Sequence, residues 1–186
     1  MRPAHLSRLV VLMLVLTACG ARRPATAAPM VPGRLPGEEI AGIALLANNV
    51  EVAYAFLAVD RATDADVQSY ATRMRTDHRS LDGTLTDLLA ALDLDARDDS
   101  LGVALREASV ARRAALARLH GRAFDATYLD TDIASHRELL ALVDGVLLPS
   151  ASRRDLRAYL AGLRPALAAH LAHAEQLRAT LAARQR

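Results

Sequence analysis

VQSYATRMRTDHRSLDGTLTDLLAAL (residues 67–92) decides the fold. Its apolar side chains fall at Val67, Ala71, Met74, Leu81, Leu85, Leu88 and Leu92, alternately four and three residues apart. That alternation is the stripe of an α-helix buried on one face. One place in it, where the pattern wants a leucine, is held by His78.

The rest of the chain reads the same way. Helices are predicted over 38–61, 64–92, 101–120, 126–147 and 153–184. The first carries Ile40, Ile43, Leu46, Val50, Ala53 and Leu57 on its apolar face, and Glu38 and Glu39 in its first turn, where the helix dipole favours them. The fourth shows Leu129, Ile133, Leu140, Val143 and Leu147. The fifth shows Leu156, Leu160, Leu163, Leu167, Ala174, Leu177 and Leu181. The third is weaker, with small residues and paired arginines at Arg112 and Arg113. Expected caps are Thr63 with Asp66, Asp125 with a Phe124–Leu129 staple, and Ser152 with Asp155. His120 is expected in the last turn of the third helix, stopped by Gly121, and Pro165 is expected to kink the fifth. Short links between the first two and last two helices force antiparallel hairpins, and the third helix becomes a long connector. Two hairpins so joined make an all-α, ferritin-like four-helix bundle with an additional connector helix.

Composition agrees. Of the 186 residues 52% are hydrophobic and only 3% aromatic, there is no tryptophan, and all 23 basic residues are arginine. A chain rich in Ala, Leu and Arg and poor in β-branched residues favours helix.

The N-terminus is a targeting segment. Arg2 and Arg8 precede the apolar run Leu9–Leu16, which is too short to span a bilayer. Leu16-Thr17-Ala18-Cys19 is similar to a bacterial lipoprotein cleavage box, with Cys19, the single cysteine, as the lipidation site. Residues 1–18 are therefore expected to be a lipoprotein signal peptide, 19–37 a Pro/Ala/Gly-rich, lipid-anchored linker, and 38–186 the bundle. The expected location is the cell envelope, with membrane attachment through acylated Cys19, at the outer membrane facing the periplasm if the cell has two membranes. Loss of residues 1–18 leaves 21 arginines against 21 acidic residues. With no net charge, nucleic acid is not an expected partner.

His78 is not alone. The stripe of the fourth helix has one gap, filled by His136, and that of the fifth has one, filled by His170. On the first helix Glu51 borders the apolar face, with Asn48 a turn before it. Counting from the hairpin turns puts all four in the middle third of the bundle, with Glu51 offset from His78 by roughly 9 Å. Asp82, Asp132 and His173 stand one turn from His78, His136 and His170, and Asp77 adjoins His78. Two readings stand. Glu51, His78, His136 and His170, with Asp77, Asp132 and His173 as neighbours, would bind a metal, and imidazole-rich ligation points to copper or zinc. Alternatively, the same groups form a hydrogen-bonded layer that only fixes helix register. A carboxylate-bridged iron pair is not expected, since the chain has no Glu-x-x-His motif. Nor is there a phosphate-binding glycine loop or a nucleophile elbow, so catalysis is not indicated.

The order Asn48-x-x-Glu51, Met74-x-x-Asp77-His78, Gly121-x-x-Phe124-Asp125-x-x-Tyr128, His136, Leu163-x-Pro165 and His170-Leu171 resembles the bacterial family called domain of unknown function 4142. The resemblance covers roughly 38–180. It implies a ferritin-like bundle, secreted or lipid-anchored, and no established activity. Glu51, Asp77, His78, Phe124, Asp125, Tyr128, His136, Pro165 and His170 match its pattern, and His173 does not.

Overall fold

A computed structural model describes residues 34–184; the expected signal peptide, Cys19 and most of the linker lie outside the described residues. Five long helices are present: α1 (Gly37–Arg61), α2 (Ala65–Ala91), α3 (Ser100–Leu116), α4 (Gly121–Leu142) and α6 (Arg154–Ala183). A π-helical turn, Val143–Leu147, and a single turn, α5 (Leu148–Ser150), join the last two. No strand occurs among the described residues. The π turn ends two residues before Pro149, which has no N–H to continue an α-helical ladder.

The chain is all-α, as the stripes predict. α1 lies along α2, and α4 along α6; α1 also touches α4, and α2 touches α6. α3 runs back over α1 and delivers the chain to the start of α4, which gives the ferritin-like order of two hairpins and a connector. One end of the bundle is tied by Asp125 to the Thr63–Asp64 turn and by Arg184 to Asp64 and Asp66. At the other end Arg153 donates to the Leu92 carbonyl at 3.0 Å. α1 is long and apolar enough to cross a membrane, but more than half of its most apolar stretch is buried in the bundle.

The caps differ from expectation. Asp64, not Thr63, caps α2, accepting from the N–H groups of Asp66 and Val67. Thr63 is spent on Asp125, and Asp125 lies inside α4 rather than at its start. α4 begins at Gly121, where φ is +56°, so the chain turns through a left-handed conformation that glycine adopts freely. His120 is accordingly the residue preceding α4, and α3 has already ended at Leu116. Arg153, with no side-chain cap bond, precedes α6 in place of the expected Ser152 box. α6 runs uninterrupted through Pro165, which sits on the exposed face, where water can satisfy the carbonyl it leaves unpaired.

Two apolar cores fill the bundle. One is built from Ile40, Ile43, Leu85, Leu89, Leu147, Leu156, Leu160 and Leu167. The other gathers Tyr54, Val67, Tyr70, Met74, Phe124, Tyr128, Leu129 and Leu177. Along α2, α4 and α6 the stretches between the two cores hold His78, His136 and His170, all buried, with Asp132 and Ser135 buried beside His136 on α4. The histidines thus occupy a polar slab between two greasy halves.

Candidate metal centre

Each histidine reaches the slab by the spacing of its own helix. His78 follows Tyr70 and Met74 at four-residue intervals, His136 follows Asp132, and His170 stands between Leu167 and Ala174. The three rings form a near-regular triangle. Their centroids are 5.5 Å apart for His78–His136, 5.3 Å for His78–His170 and 5.4 Å for His136–His170. One nitrogen from each ring lies within 4.8 Å of the other two.

The opposite nitrogen of each ring meets an oxygen. His78 Nδ1 is 3.3 Å from Asn48 Oδ1. His136 Nδ1 is 3.0 Å from the Asp132 carbonyl and 3.2 Å from its carboxylate. His170 Nε2 is 3.0 Å from Asp77 Oδ2. Carbonyl and carboxylate oxygens only accept, so these nitrogens carry the ring hydrogens. With one hydrogen per ring, the remaining nitrogens present lone pairs inward. His78 Nε2 and His136 Nε2 are 3.4 Å apart, and His170 Nδ1 is buried with no partner. Tetrahedral ligands bound to zinc at about 2.0–2.1 Å sit about 3.3 Å from each other, which matches the His78–His136 separation.

The carboxylates sort differently from the sequence expectation. Glu51 is buried, but it groups with Asp132 and His136 rather than with the three-histidine set. Ser135 donates to Glu51 Oε1, while Oε2 has no partner. The depth offset between Glu51 and His78, already visible by residue counting, is the reason. Asp132 is held by Tyr70, whose hydroxyl donates to Oδ2 at 2.6 Å. Asp77 serves His170 across the α2–α6 seam rather than its sequence neighbour His78. Asp82 makes no bond to His78, and its Oδ1 is unpartnered. His173 is exposed and meets Tyr70 edge-on at 4.9 Å. Tyr128 has a buried hydroxyl with no partner.

Tyr70 and Ser135 escaped the sequence reading. Tyr70 had a signal, since it shares a helix face with Met74 and His78. Ser135 had none beyond its place beside His136.

Charge in the slab is set by burial and neighbours. Burial pushes His78 down to about 2, reinforced by the other two histidines, so it stays neutral. His170 is lowered by burial, partly offset by Asp77. Burial opposes charge on His136 too, but Asp132 and Glu51 outweigh it and raise the ring to about 9. Burial raises Glu51 to about 7 against the pull of His136. In the absence of metal, therefore, His136 holds a second proton at neutral pH and donates it to His78 Nε2. The same two nitrogens can share either that proton or a cation.

Fold and slab together define a ferritin-like helical bundle with a buried histidine–carboxylate layer. The chain belongs to the family described as domain of unknown function (DUF4142), whose model matches residues 21–177. Its fold is also similar to the crystal structure of a DUF305 protein from Streptomyces coelicolor, described as secreted. The TM-score is 0.63 at 15% identity, covering 79% of this chain and 96% of that one. No curated protein matches the chain.

Proposed function

We propose that the protein is a lipid-anchored cell-envelope bundle that binds one transition-metal ion, zinc or copper, through His78, His136 and His170. The observation that carries this reading is the arrangement of the three rings. Each, on a different helix, has one nitrogen fixed by an oxygen acceptor and the other turned toward a shared point. Outer partners of this kind orient metal-binding imidazoles and raise their basicity. A layer that served packing alone has no use for the unpartnered His170 Nδ1, since a buried orphan costs about 1–3 kcal/mol. Asp132 and Glu51 supply negative charge beside a bound cation without joining the nitrogen set.

The envelope location rests on the N-terminal segment and Cys19, and the description of the Streptomyces protein as secreted agrees with it. Attachment to the membrane is through acylated Cys19, at the outer membrane in a diderm cell. A binding or stress-handling role fits better than turnover, because the slab is closed by its own side chains. The second reading, a layer that only fixes the fold, is favoured by the proton His136 shares with His78.

Calorimetric titration of the purified full-length protein with Zn(II) and Cu(II) decides between them. Tight one-to-one binding, lost in a His78→Leu, His136→Leu, His170→Leu variant that stays helical, supports the metal centre. No binding, with the leucine variant as stable as the parent or more so, would establish the structural layer.

A further inference from the structure

The slab is sealed on most sides, but one of its members reaches solvent. Asp77 has a side chain 37% exposed, while His170, which it contacts, is only 4% exposed. Both of its contacts fall on one oxygen: Oδ2 takes His170 Nε2 at 3.0 Å and Arg73 Nε at 3.3 Å. Oδ1 makes no hydrogen bond to the described residues. Arg73 is itself well exposed, and its pair with Asp77 is a weak surface contact.

Beside this pair a groove of about 390 Å³ runs along the α2–α6 seam, walled by Asp66, Ser69, Tyr70, Arg73, His173 and Gln176. Tyr70 lines the groove, and its buried hydroxyl donates to Asp132 in the slab. His173 stands on its wall, exposed.

We propose that the α2–α6 seam is the route by which a divalent cation reaches the three histidines, with Asp77 as its first ligand. The inference rests on the metal-binding reading above. An incoming cation meets Asp77 Oδ1 from solvent and displaces Arg73, with which it competes for the same charge. It then passes inward by rotation of the His170 ring, which Asp77 already holds. Asp77 is a capture group on this path and is absent from the final nitrogen set. It therefore governs the rate of loading, in addition to supporting His170 from outside the nitrogen set.

Stopped-flow uptake of Zn(II) by the full-length protein, read through competition with a chromophoric chelator, tests this. Asp77→Asn keeps an oxygen to accept from His170 Nε2 but removes the charge. Its association rate is expected to fall by tenfold or more, and its affinity to fall with it, because the carboxamide no longer raises the basicity of the His170 ring. Arg73→Ala is expected to speed association severalfold, and more at low salt than at high. If Asp77→Asn leaves association unchanged and only hastens dissociation, Asp77 merely orients His170 and the route is wrong. If the wild-type protein takes up no Zn(II) or Cu(II) at equilibrium, the failure lies in the metal-binding reading itself.

Discussion

The Nε2 atoms of His78 and His136 face each other at 3.4 Å from two helices of opposite hairpins. Without metal the contact is a hydrogen bond only while His136 carries a second proton. That condition gives the metal-free protein a stability profile with a definite shape. His136 is raised from 6.5 to about 9, so its contribution is complete below pH 6.5 and is lost as pH climbs to 9. The loss is about 3 kcal/mol. Glu51, raised from 4.5 to about 7, adds a decline between those values. His78 acts in the opposite sense: lowered from 6.5 to about 2, it makes folding progressively less favourable as pH falls below 6.5. His78 and Glu51 largely cancel between pH 4.5 and 6.5. The expected profile is a plateau from about pH 4.5 to 6.5, with stability falling below it through His78 and above it through His136, measured by urea unfolding of chelator-treated protein. A profile flat from pH 6.5 to 9 would show that His136 is not charged in the slab.

Metal loading must evict the same proton. At pH 7 His136 is protonated, and its Nε2 cannot bind a cation until that hydrogen leaves. Zinc binding should therefore release about one proton. Titration in buffers of different ionisation enthalpy should give a linear dependence with that slope. The apparent affinity should rise roughly tenfold per pH unit between 7 and 9 and then level. A binding heat independent of buffer would place the metal elsewhere.

Asp125 holds the two hairpins at one end. Its carboxylate accepts from Thr63 N at 3.0 Å, Thr63 Oγ1 at 2.6 Å and Asp64 N at 3.0 Å. Replacing it with alanine strands two backbone N–H groups in a part-buried turn and removes three charge-assisted bonds. Asp125→Ala is expected to cost about 2–4 kcal/mol, lowering Tm by about 5–15 °C in a domain of this size. Asp125→Asn, which retains one acceptor oxygen, should lose about half as much. Thermal melts followed by circular dichroism at 222 nm check both.

That tie also marks the limit of sequence reading here. The five helices and the three buried histidines were legible because helical periodicity is local: a ring in a leucine slot announces itself within two turns. Asp125 was misplaced as a cap because its spacing to Phe124 and Leu129 fits a helix start, and the left-handed Gly121 four residues earlier won that role. Which carboxylate serves which histidine was not legible either. Asp77 sits beside His78 in the chain yet pairs with His170, because adjacent residues on a helix point about 100° apart and the neighbouring helix chooses the partner. Asp132 was legible, since its pairing with His136 stays within one helix turn. Glu51 was placed at the border of the apolar face; it is buried, and its depth assigns it to Asp132 and His136 rather than to all three rings.

Two glycines on helices make opposite predictions. Gly42 of α1 lies under the segment that follows α2. A Cβ there would stand 2.1 Å from the Arg97 carbonyl oxygen, which is backbone and held in place by Arg97 N donating to the Glu38 carbonyl at 2.9 Å. Alanine at position 42 must push that segment off α1, so the gain in helix propensity is swamped. Gly42→Ala should destabilise by about 1–3 kcal/mol and loosen the chain around Arg97, seen as faster proteolysis between α2 and α3. Gly83 of α2 has nothing within 4 Å of the same added atom. There only propensity acts, and Gly83→Ala should stabilise by about 0.5–1 kcal/mol. Urea unfolding of the two variants beside the parent separates the cases. Equal and favourable shifts in both would mean that the segment around Arg97 does not cross α1 at Gly42.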